Sequence, residues 1–208
     1  MIQTVQLRWD RAGNHSALLA SLRLLNRACE LDMSVLLSLH EILLPPSHPY
    51  RGRFRDSPLV VRFNGIVQWR PPPADEALRL MRATLVWINT RVKEGVTGTD
   101  ARYCAARVLF QTTDIHPFFD GNGRVARTLA TWLLIKGGYA LLMDPGSYCH
   151  QHRAAYYKAL DSHSLDPTLW PKFFAQMVDY CFVVKRHSPA WAADAGGQPR
   201  GQSSSSRR

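Results

Sequence analysis

The chain has 208 residues, 46% hydrophobic and 20% charged, with a formal net charge of +10. That is enough apolar material to close one core, so a disordered polyelectrolyte is excluded. No run approaches the roughly 18 apolar residues of a membrane-spanning helix.

The N-terminus, MIQTVQLRWDR, lacks a basic region ahead of an apolar stretch, so no secretory signal is expected. A cytoplasmic protein is the expectation, with delivery into a host cell left open. Ser16–Glu30 reads as a helix, with Leu18, Leu19, Leu22 and Leu25 at helical spacing. Ser34–Leu44 reads as a second, stopped by Pro45 and Pro46. The segment SHPYRGRFRDSP that follows is a loop by composition. In Leu59–Arg70, Asn64-Gly65 separates two short apolar runs, the pattern of a β-hairpin.

Pro71, Pro72 and Pro73 end the hairpin, and Ala74–Arg91 is helical by pattern. The break EGVTGT precedes a helix over Ala101–Gln111, with Asp100 as its expected cap. A loop, DIHPFFDGNG, leads into a helix over Asn122–Lys136 that Gly137-Gly138 closes. Helices are also expected around Cys149–Asp161 and Pro167–Val184. The remainder is polar and low in complexity and reads as a disordered tail. Its five basic residues against one acid, Asp194, place +4 of the charge there and leave +6 on the rest. The expected fold is all-α, a helical bundle with one β-hairpin flap. Its expected division is an N-terminal helical extension over 1–35, a main domain over 36–184 and a tail over 185–208.

Four cysteines, Cys29, Cys104, Cys149 and Cys181, lie far apart and form no C-x-x-C pair. The cluster of Cys149, His150 and His152 lacks zinc-site spacing. No P-loop is present, and Arg124 and Arg127 spoil an EF-hand reading of Asp120-Gly121-Asn122.

One passage concentrates chemistry: His116-Pro117-Phe118-Phe119-Asp120-Gly121-Asn122-Gly123-Arg124-Val125-Ala126-Arg127. Gly121 and Gly123 flank Asn122 where loop becomes helix. There the backbone can aim several N–H groups at one anion, and the helix dipole adds to their pull. Arg124 and Arg127, three apart, share a helix face and suit phosphate oxygens. Asp120 is a fitting ligand for Mg²⁺ beside a polyphosphate. His116 has the side chain whose titration suits a general base near neutrality. A lone histidine, a G-x-G turn or an arginine pair is ordinarily plain surface or packing; their coincidence within twelve residues is what carries weight.

The run HPFFDGNGRVAR resembles the Fic motif, H-x-F-x-[DE]-G-N-G-R-x-x-R, at every defined position. Leu39-His40 with Gly52-Arg53-Phe54-Arg55, the hairpin, and Tyr156-Tyr157-Lys158-Ala159-Leu160 extend the resemblance over roughly Leu36 to Val184. The resemblance implies a Mg²⁺-dependent AMP transfer from ATP, as co-substrate, onto a Ser, Thr or Tyr hydroxyl of a target protein. In it His116 is the base and Asp120 holds the metal. Gly121, Gly123 and the Asn122 side chain cradle the α-phosphate region, Arg124 and Arg127 take the outer phosphates, and Phe118 anchors the loop. The flap residues Val61, Arg62, Phe63, Asn64, Gly65 and Ile66 would dock an extended target segment by strand addition. Transfer of another nucleotide (UMP or GMP) or of phosphocholine stays open, since the motif reads phosphates only. From other classes, a basic nucleic-acid-binding domain leaves His116 and Asp120 without roles, and an inactive scaffold is at odds with the intact His116. Neither nucleic acid nor a membrane is therefore an expected partner. Many family members carry an inhibitory helix, [ST]-x-x-x-E-[GN]; Thr90–Gly95 matches it but sits at the end of a core helix, which makes it a chance match. A small separate antitoxin-like protein is then the expected source of inhibition, if any exists.

Overall fold

In a computed structural model, residues 3–6, 15–63, 66–161 and 166–184 are described. The elements run β1 (Gln3–Gln6), α1 (His15–Arg27), α2 (Met33–Leu43), β2 (Leu59–Phe63), β3 (Ile66–Trp69), α3 (Ala74–Glu94) and α4 (Gly98–Ile115). They continue with α5 (Asn122–Lys136), β4 (Tyr139–Leu141), α6 (Pro145–Gln151), α7 (Arg153–Asp161), α8 (Leu169–Cys181) and β5 (Phe182–Val184). The all-α class with a hairpin holds. The Asn64-Gly65 turn and the segment after residue 184 lie outside the described residues.

Helix α5 is the axis of the bundle. Val125, Ala126, Leu129, Ala130, Trp132, Leu133 and Leu134 are all buried, so it is apolar nearly all round, as a helix enclosed by others must be. Its main neighbour is α4, which meets it through Ala101, Cys104, Ala105, Val108 and Leu109, mostly small side chains that let the axes close in. Gly137 completes that approach: a Cβ there would lie 2.1 Å from the Ala101 Cβ. Leu18, Leu22 and Leu25 of α1 belong to the same core cluster as α4 and α5, and α2 is capped by Asp32, whose side chain accepts from the Val35 N–H at 2.8 Å.

β2 and β3 pair antiparallel, Phe63 opposite Ile66, with an irregularity between Val61 and Arg62. Leu59 and Val61 face inward onto Phe119, beside Tyr50 and Trp69. Four features differ from expectation. α4 starts at Gly98 with Thr97 at its N-cap, so Asp100 lies inside the first turn and is not the cap. The short β1 runs parallel to β2, making the sheet three-stranded in the order β1-β2-β3. β4 and β5 form a second, two-stranded ribbon, so the last helix stops at Cys181 instead of running to Val184. Asp144 and Pro145 start a separate α6 before α7, a cap-plus-proline signal in place of one continuous helix.

Candidate active site

The site is built where α4 ends and α5 begins. Pro117 bars the preceding residue from ordinary helical geometry, so α4 stops at His116, which takes φ 53°. His116 is the one non-glycine residue with positive φ among those described, a conformation that costs about 1–2 kcal/mol. Its side chain is 3% exposed. Nδ1 lies 3.1 Å from the Thr113 carbonyl oxygen, so Nδ1 carries the proton and Nε2 keeps its lone pair. Burial pushes its pKa down to about 4; the charge of Arg55 works in the same direction and the Thr113 carbonyl against it. At neutral pH His116 is therefore an uncharged base.

Phe118 fills the core under the loop, fully buried and stacked on His40 (3.9 Å between centroids, 4° between planes) and on Phe54 at 5.0 Å. The expected anchor role fits this packing. His40 accepts the Gly52 N–H on Nδ1 at 3.0 Å and so donates from Nε2 to the Asp120 carbonyl at 2.9 Å, holding the loop's backbone. Its ring is buried, which pushes its pKa down to about 4 and keeps it neutral as well.

Asn122 braces the loop. Its Oδ1 accepts from the Phe118 N–H at 3.0 Å and its Nδ2 donates to the Phe118 carbonyl at 2.8 Å. These two bonds fix the amide plane within the loop, and the residue also lines the cavity, with the second Nδ2 hydrogen outside the pair. The backbone at the helix start is what remains for an anion: Val125 is the first residue to bond back, to the Gly121 carbonyl, and the N–H groups before it lack intrahelical acceptors. Gly121 sits at φ 81° as N-cap, and a Cβ there would come within 2.9 Å of His40 Nε2 and Leu44 Cδ1. Gly123 leaves room for a guanidinium, since a Cβ would lie 3.1 Å from Arg127 Nη1.

Arg124 donates to the Leu43 carbonyl at 3.0 Å and to Asp120 Oδ2 at 3.3 Å. Asp120 Oδ1 accepts the Gly121 N–H at 2.6 Å, and Oδ2 also faces His48 Nε2 at 3.1 Å. Among the described residues no group of three or more His, Cys, Asp or Glu could hold a metal. A single carboxylate beside an anion nest still fits Mg²⁺, which draws its other ligands from phosphate and water.

A cavity of about 1060 Å³ joins these parts: His116, Asp120, the Gly121–Arg124 backbone turn and Arg127 all line it, with Trp69 from the hairpin and Tyr156 and Tyr157 from α7. The motif residues are thus brought together as expected. The flap is less simple. Trp69 reaches His116 edge-on, 5.6 Å between centroids, but the Val61 side chain is fully buried and β1 already pairs along one side of β2. Sequence reasoning did not single out Trp69 or His48, and it reached Arg55 only as the last residue of the Gly52–Arg55 segment, without a role. Trp69 had a signal of its own, an aromatic at the foot of a hairpin. Thr90–Gly95 ends α3, where Glu94 pairs with Arg91 and does not line the cavity.

The Fic/DOC family model matches residues 30–134, just over half of the chain. The chain is 33% identical over 132 residues to the Protein adenylyltransferase Fic of Drosophila grimshawi, covering 63% of this chain and 25% of that protein. It thus spans about a quarter of the length of the curated relatives it matches. Among solved structures it resembles the BepC protein of Bartonella tribocorum, a VirB-translocated effector with bound AMPPNP, at TM-score 0.60 and 15% identity, covering 83% of this chain and 85% of that one. It also resembles IbpAFic2 covalently tethered to Cdc42, at TM-score 0.55 and 18% identity, covering 78% and 52%. At such identities these likenesses speak for the fold alone. Together with the family match and the intact motif, they leave one assignment: the chain belongs to the Fic/DOC family.

Proposed function

We propose that this chain transfers AMP from ATP to a Ser, Thr or Tyr hydroxyl of a target protein and releases pyrophosphate. The observation that carries the reading is His116, buried and neutral, with Nε2 unprotonated, in the same cavity as the glycine-bounded start of α5 and the two motif arginines. The adenylyltransferase name of the relatives and the AMPPNP in BepC support the choice of nucleotide.

The target hydroxyl oxygen attacks the α-phosphorus, its proton passes to His116 Nε2, and the bond from the α-phosphorus to the bridging oxygen breaks toward pyrophosphate. A triphosphate beside His116 opposes the Arg55 charge and raises the imidazole's proton affinity just where a proton is to be taken. The N–H groups at the start of α5 hold the α-phosphate region, and Arg124 and Arg127 stabilise charge on the departing pyrophosphate. Asp120 would hold Mg²⁺, which neutralises phosphate charge when bound; His48 and Arg124 present the carboxylate for it. The target segment adds as a strand to β3, the terminal strand of the sheet, whose end at Trp69 abuts His116. The tethering of IbpAFic2 to Cdc42 supports a protein as the acceptor.

In this reading residues 36–184 form the transferase, 1–35 are an N-terminal helical extension and 185–208 are a basic, serine-rich tail. A cytoplasmic location, with delivery into a host cell as the alternative, belongs to the same proposal. Among the described residues no helix is long and apolar enough to cross a membrane. A small inhibitory protein acting in trans remains part of the proposal. Offering α-labelled ATP, GTP, CTP and UTP side by side to the protein with a cell lysate tests the reading. ATP should label best, and His116→Ala should lower that labelling by about 10²-fold or more. Equal labelling by the variant would overturn the base assignment.

A further inference from the structure

Arg55 is the largest fully buried side chain of the fold, 1% exposed, and among the described residues no carboxylate pairs with it. A buried cation without a counter-ion is unfavourable unless dipoles replace its water, and here three carbonyls do so. Nε donates to the His116 carbonyl at 2.7 Å, Nη1 to Ser57 at 3.3 Å, and Nη2 to Pro72 in a short contact. The Arg55 N–H adds a fourth link, to the Pro117 carbonyl at 3.0 Å. The three side-chain acceptors are not a random set. Ser57 lies two residues before β2 and Pro72 three residues after β3, so they are the two feet of the hairpin. The third belongs to the strained residue that ends α4.

We infer that Arg55 is a positioning residue that locks both feet of the flap to the backbone of His116, so that a strand docked on the flap and the imidazole Nε2 keep one fixed relation. Trp69 is the second point of contact, its ring nearly perpendicular to that of His116 at 5.6 Å between centroids, and both line the cavity. The three carbonyls are met by three different nitrogens spread over the planar guanidinium, a span that the one nitrogen of a lysine ammonium does not cover. The lock acts on the acceptor side of the reaction: no contact reaches the start of α5, so nucleotide binding does not depend on it.

This inference rests on the proposed transfer, and the test separates the two. Arg55→Lys keeps the charge and loses the fork, whereas Arg55→Met keeps the bulk and loses both. Three readouts are compared with wild type: AMPPNP affinity by calorimetry, kcat and target KM for label transfer, and the His116 imidazole titration by nitrogen NMR, which needs no substrate. Both variants should bind AMPPNP within about twofold of wild type. Arg55→Lys should raise target KM and lower kcat, together about tenfold or more in kcat/KM, with the His116 titration little changed. Arg55→Met should in addition move the titration to higher pH, since a nearby positive charge is removed. If Arg55→Lys folds and transfers label with wild-type kcat and target KM, Arg55 is only a core brace and the inference fails. If wild type transfers no label, the proposed function fails, while an unshifted His116 titration in a folded Arg55→Met protein would still refute the coupling. Should Arg55→Met not fold, the lysine variant's kinetics decide alone.

Discussion

The chemistry of the site rests on how one imidazole is housed. His116 combines a backbone conformation no ordinary helix provides, a carbonyl that takes the Nδ1 proton, and burial that keeps the ring uncharged. This has a thermodynamic consequence. The unfolded chain binds a proton at His116 with a pKa of about 6.5, the folded chain only at about 4. Below about pH 6.5 the unfolded state holds more protons, so the contribution of neutral His116 is full above that pH and drains away as pH falls to about 4. The loss at the acid limit is on the order of 3 kcal/mol. Urea unfolding of wild type and of His116→Asn at a series of pH values between 7.5 and 4.5 measures it. Wild type should lose stability more steeply than the variant; identical slopes would mean that His116 is protonated in the fold.

Between residue and domain, the turn from Asp120 into α5 is the element that matters. Asn122 closes a five-residue loop onto Phe118, Phe118 stacks on His40, and His40 grips the Asp120 carbonyl, so each brace supports the next. Gly121 is the position with no room to change: it combines left-handed φ with a side-chain wall 2.9 Å away. Gly121→Ala should cost about 1–3 kcal/mol and lower transfer by the folded protein at least tenfold, because the nest itself is displaced. Gly137→Ala is the control, crowding Ala101 at the far end of α5. It should lower stability while leaving transfer per folded molecule unchanged. If Gly121→Ala destabilises without slowing transfer, the nest does not hold the reacting phosphate.

The same contrast shows what could be read from residue order. Helices α1 to α3 and α5 follow from leucine spacing, prolines and the Gly137-Gly138 stop, and the motif residues converge because they lie within one turn of chain. The strands β4 and β5 escaped, being three residues long and continuous with helical patterns. The role of Asn122 was legible only as far as its place in the motif; that its amide turns back on Phe118 is a matter of loop closure. Arg55 was legible only as part of the Gly52–Arg55 segment; nothing in the composition of the basic loop SHPYRGRFRDSP tells which arginine tertiary packing will bury.

At the scale of the molecule, helices pack around α5 and a large cavity opens at its start, lined by the motif residues. Glu94 lies at the end of α3, exposed and paired with Arg91 at 2.5 Å, and does not line that cavity. Glu94→Gly should leave transfer within about twofold of wild type, losing only an exposed, solvent-screened ion pair. A tenfold rise in labelling would make Thr90–Gly95 an inhibitory element after all.

The central claim is that the cavity splits a nucleoside triphosphate at its α-phosphorus and hands the nucleotide to a hydroxyl. Parallel incubations with ATP labelled at the α- or at the γ-phosphorus measure this directly. The account predicts protein-bound label from α-labelled ATP and none from γ-labelled ATP, the γ-phosphorus leaving in pyrophosphate. Label retained from the γ-position would make the chain a phosphotransferase and contradict the account.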